Sequence, residues 1–488
     1  MSVRPPRLLG IDLGTSSVKV GVFAPDGELV SFARRAYEPS AHATQADPED
    51  WWSATASATR EAMSDLDPRH INALCVGGQG PTLVLVDDVG RPIRRALTWM
   101  DSRAAPQTAR LGERLGSDRA AWSLVPRLLW VAENEPQVLE RARWALQAWD
   151  FIACRLAGGR VAAASTFAGD FVWRDDWLTA AGLDRWIIPP SVDAGAAYAE
   201  TSGAWAAQAG LPNGIPIVGG MNDGIGSIVG AAGSVVGRAT DPGGAAGGLA
   251  LAWNTPLSIP GVSTWAGLMP GTHIIGGAFV AGGRAVDWWA SATESDLSHV
   301  LSLAERAPAG AAGLVCLPFL AGERSPLWDA SARGAFIGLT FEHGASHLAR
   351  AVLEATAFEL RLLTDAVLGA GARIDELRVC GGQARSRLWN QVKADITGLP
   401  AHVPRLPEVA LMGDAICAAI GIGLYPDLVQ AGEAMVHIAE VVQPNTAVRE
   451  IYDELFGVYR AAYGAFKPFF EPLARAGYSS KASTSNAP

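Results

Sequence analysis

Apolar residues dominate the stretch from Leu8 to Ala24, LLGIDLGTSSVKVGVFA, where Asp12 and the turn Gly14-Thr15-Ser16 break the run in the middle. That pattern predicts two buried strands joined by a tight polar turn. Pro25-Asp26-Gly27 is a second turn signal, and Glu28 to Arg34 then predicts a third strand. A helix follows: Asp47 is placed to cap it, Pro48 suits its first position, Glu49 and Asp50 suit its first turn, and Trp51, Trp52, Ala58 and Met63 continue its apolar face. Ile71 to Val76 reads as a returning strand.

Three hairpin strands, a helix and a returning strand describe a ribonuclease-H-like α/β unit, in which ligands sit at the strand ends. The remainder of the first half is helical and rich in tryptophan, with Trp122, Trp130, Trp144, Trp149, Trp173, Trp177 and Trp186 expected mainly as core. Ile215 to Val218 predicts a buried strand that ends in GGMNDG, and a small-residue helix, Ile225 to Ala232, follows. Composition shifts in the Gly-rich segment between Gly233 and Gly248, a domain boundary. The second half varies the same theme, with strands near Ala250, Gly276 to Ala281, Leu314 to Leu317 and Glu376 to Cys380, and helices at His347 to Leu368 and Leu388 to Ile396. The expected organisation is two similar domains, 1–240 and 241–475, and a polar, disordered tail, 476–488.

A chain of 488 residues with 49% hydrophobic and 18% charged residues buries two substantial cores, and a net charge of −10 argues against nucleic acid as a partner. Cys75, Cys154, Cys316, Cys380 and Cys417 are scattered and never form a CxxC pair, which excludes a zinc ribbon and fits reduced thiols. Neither a signal peptide nor a membrane-spanning run is present in the sequence, so a cytoplasmic location is expected. The four lysines, Lys19, Lys393, Lys467 and Lys481, never complete a GxxxxGK[ST] motif. Any nucleotide phosphate must be held without a Walker loop.

Two carboxylates stand at strand ends. Asp12 enters a turn in which Gly14 admits a ligand closely and Thr15 and Ser16 offer donors, a plausible seat for phosphate and for a Mg²⁺ ion held through water. Asp223 lies between a strand and a helix, where it serves either as helix cap or as a base. The run Gly224 to Gly230 lacks the G-x-G-x-x-G spacing, and the neighbouring carboxylate would repel a pyrophosphate. His343 and His347 read as a helix-start pair rather than metal ligands. Gly381-Gly382-Gln383-Ala384-Arg385-Ser386 ends a strand with room for a ring or ribose, and the stretch from Gly322 to Thr340 reads as an ordered, salt-bridged loop.

Taken together, DLGTSS, WMDSR at Trp99 to Arg103, GGMNDG, GERSPLWDASARGAFIGLT and GGQARSRLWNQVKADITGLP resemble the FGGY carbohydrate kinases over most of the chain. The resemblance implies two actin-like ATPase domains flanking a cleft, ATP and Mg²⁺ as cofactors, and a small sugar or polyol as substrate. Carried over by position, Asp12, Gly14, Thr15 and Ser16, with Gly244 and Ala245, would face phosphate and metal. Asp223 would be the base, Gly381, Gly382, Gln383 and Ser386 would line the adenosine site, and Gln79, Gly80, Pro81, Asp101, Asp223 and Gly224 would line the sugar site. Three departures stand out. The second phosphate loop usually carries Gly-Thr-Ser, whereas this chain has Gly244-Ala245-Ala246. The xylulokinase-like Gln-Met-His-Gly is here Gln79-Gly80-Pro81-Thr82, and the Asn that commonly follows the base is Gly224. D-xylulose is the first substrate expected, and a homodimer is kept as an option. Ala245 and Ala246 also motivate an alternative, a weak catalyst acting as a sugar or nucleotide sensor.

Overall fold

The computed structural model describes residues 5–37, 44–116, 123–159, 164–165, 173–183 and 185–484, so Trp122 and residues 485–488 lie outside the described residues. The chain forms two compact units, Met1–Ser234 with Glu408–His437, and Val235–Pro407 with Ile438–Pro488.

In the first unit the strands Arg7–Leu13, Ser17–Phe23 and Leu29–Ala36 form the expected meander, and Ile71–Gly78 pairs parallel to the first of them. Pro216–Val218 adds a further parallel strand and Ala197–Glu200 an antiparallel edge. The central strand is buried on both faces, which explains why Leu8, Leu9, Ile11 and Leu13 do not alternate with polar residues. One face packs on the helix Pro48–Ala62 through Trp51 and Trp52. That helix begins as its sequence demands: the Asp47 carboxylate accepts from the Glu49 amide at 3.0 Å and Pro48 occupies the first turn.

The segment 408–437, expected within the second domain, belongs to the first unit. Its helix Val409–Gly421 is apolar on nearly every side, and it packs on the helix Asp223–Gly230 and on the central strand. Glycine makes that approach possible. A Cβ on Gly230 would overlap the Val409 carbonyl, and one on Gly413 would overlap the Gly226 carbonyl. The glycines of 224–230 that tempt a dinucleotide reading are therefore explained in part by helix packing.

The second unit repeats the first. From His273–Phe279 the sheet runs through Gly247–Trp253, Arg238–Asp241, Glu376–Val379, Ala401–Pro404 and Ile438–Val442, with Ser263–Ala266 added outside. Successive pairings are antiparallel, antiparallel, parallel, parallel and antiparallel. The first sheet, read from Leu29–Ala36, follows the same series. Arg238–Asp241 is thus the counterpart of Arg7–Leu13, and both strands end in an aspartate and a glycine turn. The helix Ala345–Gly369 is the spine of this unit, buried along most of its length. His347 closes its start, its Nδ1 accepting from the Gly344 amide at 3.2 Å, which bears out the helix-start reading of the histidine pair.

The tail departs from expectation. A helix runs from Arg449 to Thr484, taking in most of the segment expected to be disordered. Tyr452, Phe456, Tyr459 and Phe470 are buried along it, and packing of these rings, not helix propensity, accounts for a helix that contains Pro468 and Pro472. The 322–340 loop is ordered as expected, with its carboxylates held largely by backbone. Glu323 accepts from the Val280 and Arg324 amides, and Asp329 accepts from the Ser331 and Ala332 amides and from the Tyr463 hydroxyl.

Candidate active site

In the first unit, the hairpin register sets Asp12 directly opposite Lys19 and beside Gly77 of the parallel strand. Lys19 Nζ donates to Asp12 Oδ2 at 2.9 Å, while Asp12 Oδ1 is buried with no partner. Burial works against the Lys19 ammonium, but the Asp12 carboxylate outweighs it and holds the lysine above its ordinary range. The next turn tightens through a Gly14 amide to Ser17 carbonyl bond at 3.1 Å. Thr15 Oγ1 accepts from the Trp99 indole at 3.2 Å, so the WMDSR segment is tied to the phosphate-type turn.

The strand Pro216–Val218 delivers Asn222 and Asp223 to the same region. Gly78 bridges Asn222 in parallel fashion, the Gly78 amide donates to the Met221 carbonyl at 3.0 Å, and the Gln79 amide donates to the Leu13 carbonyl at 2.8 Å. The cap of the following helix is Asn222, whose Oδ1 accepts from the Gly224 amide at 2.9 Å, and Asp223 stands as the first helical residue, its own Oδ1 sharing that amide at 2.8 Å. Its carboxyl is half-buried and raised to about 7, first by desolvation and then by the negative charge of Asp12. The Gly224 amide and Lys19 act in the opposite direction. A carboxyl raised to about 7 near a second carboxyl group is the arrangement that acid–base chemistry uses.

The remaining candidate sugar positions gather on the same unit. Gln79 is buried with Oε1 unpartnered. Gly80-Pro81 leads into Thr82, whose Oγ1 accepts from the Trp99 amide at 3.2 Å. Asp101 is buried and accepts from the Arg103 amide and Nε at 2.9 and 2.8 Å, and Arg103 lies 4.8 Å from the Trp130 ring centroid. Gly224 is exposed.

The second unit holds the other set. Gly243 to Ala246 forms a turn whose carbonyls are tied inward. The Gly243 carbonyl accepts from the Gln383 amide at 3.2 Å, that of Gly244 from the Gly283 amide at 3.0 Å and Gln383 Nε2 at 2.8 Å, and that of Ala245 from the Arg284 amide at 2.9 Å. Gly244 and Ala245 are exposed, and among the described residues their amides donate no hydrogen bond. Backbone amides left outward in this way make a nest for an anion, which side-chain hydroxyls would otherwise serve. Gln383 is buried and committed to this turn, Ser386 Oγ caps the helix Arg387–Thr397 by accepting from the Trp389 amide, and Gly381 lets its segment approach Pro242 and Gly243. Gly382 faces open space.

Several charged residues escaped sequence reasoning. Lys19 could have been found, because a turn centred on residues 14–16 places it opposite Asp12. Asp414 is a lone carboxylate in the apolar helix Val409–Gly421; burial and then Asp12 hold its carboxyl well above the usual range, and Oδ2 has no partner. Asp241 and Lys393 carried no local signal of their pairing. Among the described residues no group of three or more His, Cys, Asp or Glu side chains could hold a metal ion, and no helix is long and apolar enough to cross a membrane.

Residues 7–230 match the N-terminal domain model of the FGGY family of carbohydrate kinases, and residues 247–422 match its C-terminal domain model. Xylulose kinase of Staphylococcus epidermidis is 28% identical over 483 residues, covering 93% of this chain and 96% of the relative. Xylulose kinase of Escherichia coli is 30% identical over 80% of this chain and 84% of the relative, and glycerol kinase of Thermus brockianus is 30% identical over 85% and 90%. The crystal structure of xylulose kinase from Rhodospirillum rubrum superposes with a TM-score of 0.80 at 29% identity, covering 95% of this chain and 99% of that one.

Proposed function

Since the chain belongs to the FGGY family of carbohydrate kinases, and so is an ATP-dependent enzyme acting on a sugar or polyol, we propose that its acceptor is a small ketose or polyol, D-xylulose first, with Asp223 as the base. The observation that carries this reading is the Asp223 carboxyl, first residue of its helix with Asn222 as the cap, and raised to about 7 by burial and then by Asp12. The recurrence of xylulose kinases among the relatives supports the choice of ketose.

In the proposed reaction the acceptor hydroxyl gives its proton to an Asp223 oxygen, the hydroxyl oxygen bonds to the γ-phosphorus, and the bond to the bridging oxygen breaks to release ADP. Gln79, Asp101 and the Gly80-Pro81 backbone orient the sugar on the first unit. Gly80 and Gly224 bring no side chain to this region, and a Cβ on Gly80 would meet Trp149 and Asn222. The Gly244 and Ala245 amides receive nucleotide phosphate on the second unit. Asp12 suits a Mg²⁺ ion, since Oδ1 is a buried hard oxygen without a partner. When bound, the ion would neutralise phosphate charge, with Asp12 reaching it through water. The five cysteines, all free and buried, suit a reducing cytoplasm, where we place the enzyme.

Coupled ADP release over a panel of ketoses, aldoses and polyols tests the assignment. Turnover greatest with D-xylulose is the expected result, and thermal stabilisation by sugars without any turnover would instead favour the sensor. Asp223→Asn should fold and lose phosphorylation; full activity in that variant would remove Asp223 as the base.

A further inference from the structure

The two units end their first strands alike, in Asp12 and in Asp241, and each aspartate has a lysine partner. Their surroundings differ. Asp12 leaves one oxygen unpartnered, and Lys19 is a quarter exposed. Asp241 and Lys393 are each 1% exposed, and Lys393 Nζ donates to Asp241 Oδ2 at 2.5 Å. The other oxygen, Oδ1, accepts from the Gly243 amide at 3.1 Å, and the Asp241 carbonyl accepts from the Cys380 amide at 3.0 Å. Both carboxylate oxygens of Asp241 are thus engaged within the protein, and neither is free for a ligand.

The bond to Gly243 decides what the pair does. Gly243 adopts a φ of +55° and leads directly into the exposed amides of Gly244 and Ala245. Gln383 and the start of the helix Gly283–Ala292 hold the carbonyl side of that turn, and Asp241 holds its entry on the amide side. A turn without hydroxyls has only backbone donors to offer, so the direction of those amides sets its grip on an anion. The side chain that fixes them is buried, and Lys393, reaching over from the helix Arg387–Thr397, pairs with its other oxygen and so offsets the burial of both groups.

We infer that Asp241 and Lys393 are a positioning pair that orients the Gly243–Ala246 backbone to hold nucleotide phosphate in place of the hydroxyls this turn lacks. The inference rests on the reading of that turn as the phosphate site.

Two double variants separate an orienting role from a merely structural one, because both remove the buried charges together. Asp241→Asn with Lys393→Met keeps an acceptor for the Gly243 amide; Asp241→Leu with Lys393→Met has similar volume and no acceptor. The Leu double variant should raise the KM for ATP about tenfold or more, with the KM for sugar unchanged, because small misplacements of binding groups have large effects. The Asn double variant should restore ATP binding to near the wild-type value. Equal ATP affinity in two folded double variants would overturn the inference.

Should the Leu double variant fail to fold, hydrogen exchange in the wild-type protein decides. The Gly243 amide should exchange as slowly as the adjoining strand Arg238–Asp241, and exchange at the rate of an unstructured loop would overturn the inference. Ala245→Asp tests the underlying reading separately by placing a carboxylate on the turn. If it leaves ADP binding intact, the turn is not the phosphate site; if it abolishes binding while the two double variants bind ADP equally, only the positioning role falls.

Discussion

Asp223 keeps its proton up to a pH near 7 because burial and the Asp12 charge both disfavour its ionised form. A base must be deprotonated to act, so kcat/KM for the sugar should fall as pH drops below about 7 and level off above it. Lys19 opposes the shift, so Lys19→Met should move that limb to higher pH, a displacement that a pH–rate profile of the variant measures directly. Asp223→Asn should lower kcat by about 10²- to 10⁴-fold, the usual worth of general base catalysis. The same substitution has a stability consequence of definite sign. A carboxyl raised above its ordinary 3.8 binds protons more tightly folded than unfolded, so it costs stability as pH climbs from about 4 through 7. Thermal melts should therefore show Asp223→Asn more stable than wild type at pH 8, with the advantage gone near pH 4.

Helix contacts rest on glycine where backbones meet. Gly413 packs against the Gly226 carbonyl, and a methyl group there has nowhere to go, so Gly413→Ala should destabilise the protein by about 1–3 kcal/mol in urea titration. Gly457 lies in the helix Arg449–Thr484 with no heavy atom near its missing Cβ. Gly457→Ala should instead stabilise by about 0.5–1 kcal/mol, since only helix propensity and chain entropy change. The buried pair Asp241–Lys393 ties the strand Arg238–Asp241 to the helix Arg387–Thr397. Removing Lys393 alone leaves an uncompensated carboxylate and should cost about 3–5 kcal/mol, while the paired replacement should cost much less. Legibility varied among the elements. The Asp47 cap and the Pro48 start identified their helix to the residue, whereas the apolar helix Val409–Gly421 gave no hint that it packs with the first unit, because its sequence is equally suited to any dry surface.

Two units with separate cores make two-state unfolding an inappropriate description of the whole molecule. Calorimetry should show two transitions. ADP at about a hundred times its Kd should stabilise the unit that carries Gly243–Ala246 by about 2.7 kcal/mol, and sugar alone should shift the other. A single transition shifted equally by both ligands would contradict this. By itself the sequence determined the meander and returning strand of the first sheet, the duplication and the prominence of Asp12 and Asp223, because apolar periodicity, turn residues and caps act over a few neighbouring positions. Tertiary structure alone decided that residues 408–437 rejoin the first unit, that Asn222 rather than Asp223 caps its helix, and that Asp241 meets Lys393. Those outcomes depend on contacts between residues far apart in the chain, and on desolvation, which sets the charge of a carboxyl only after the surrounding protein has excluded water.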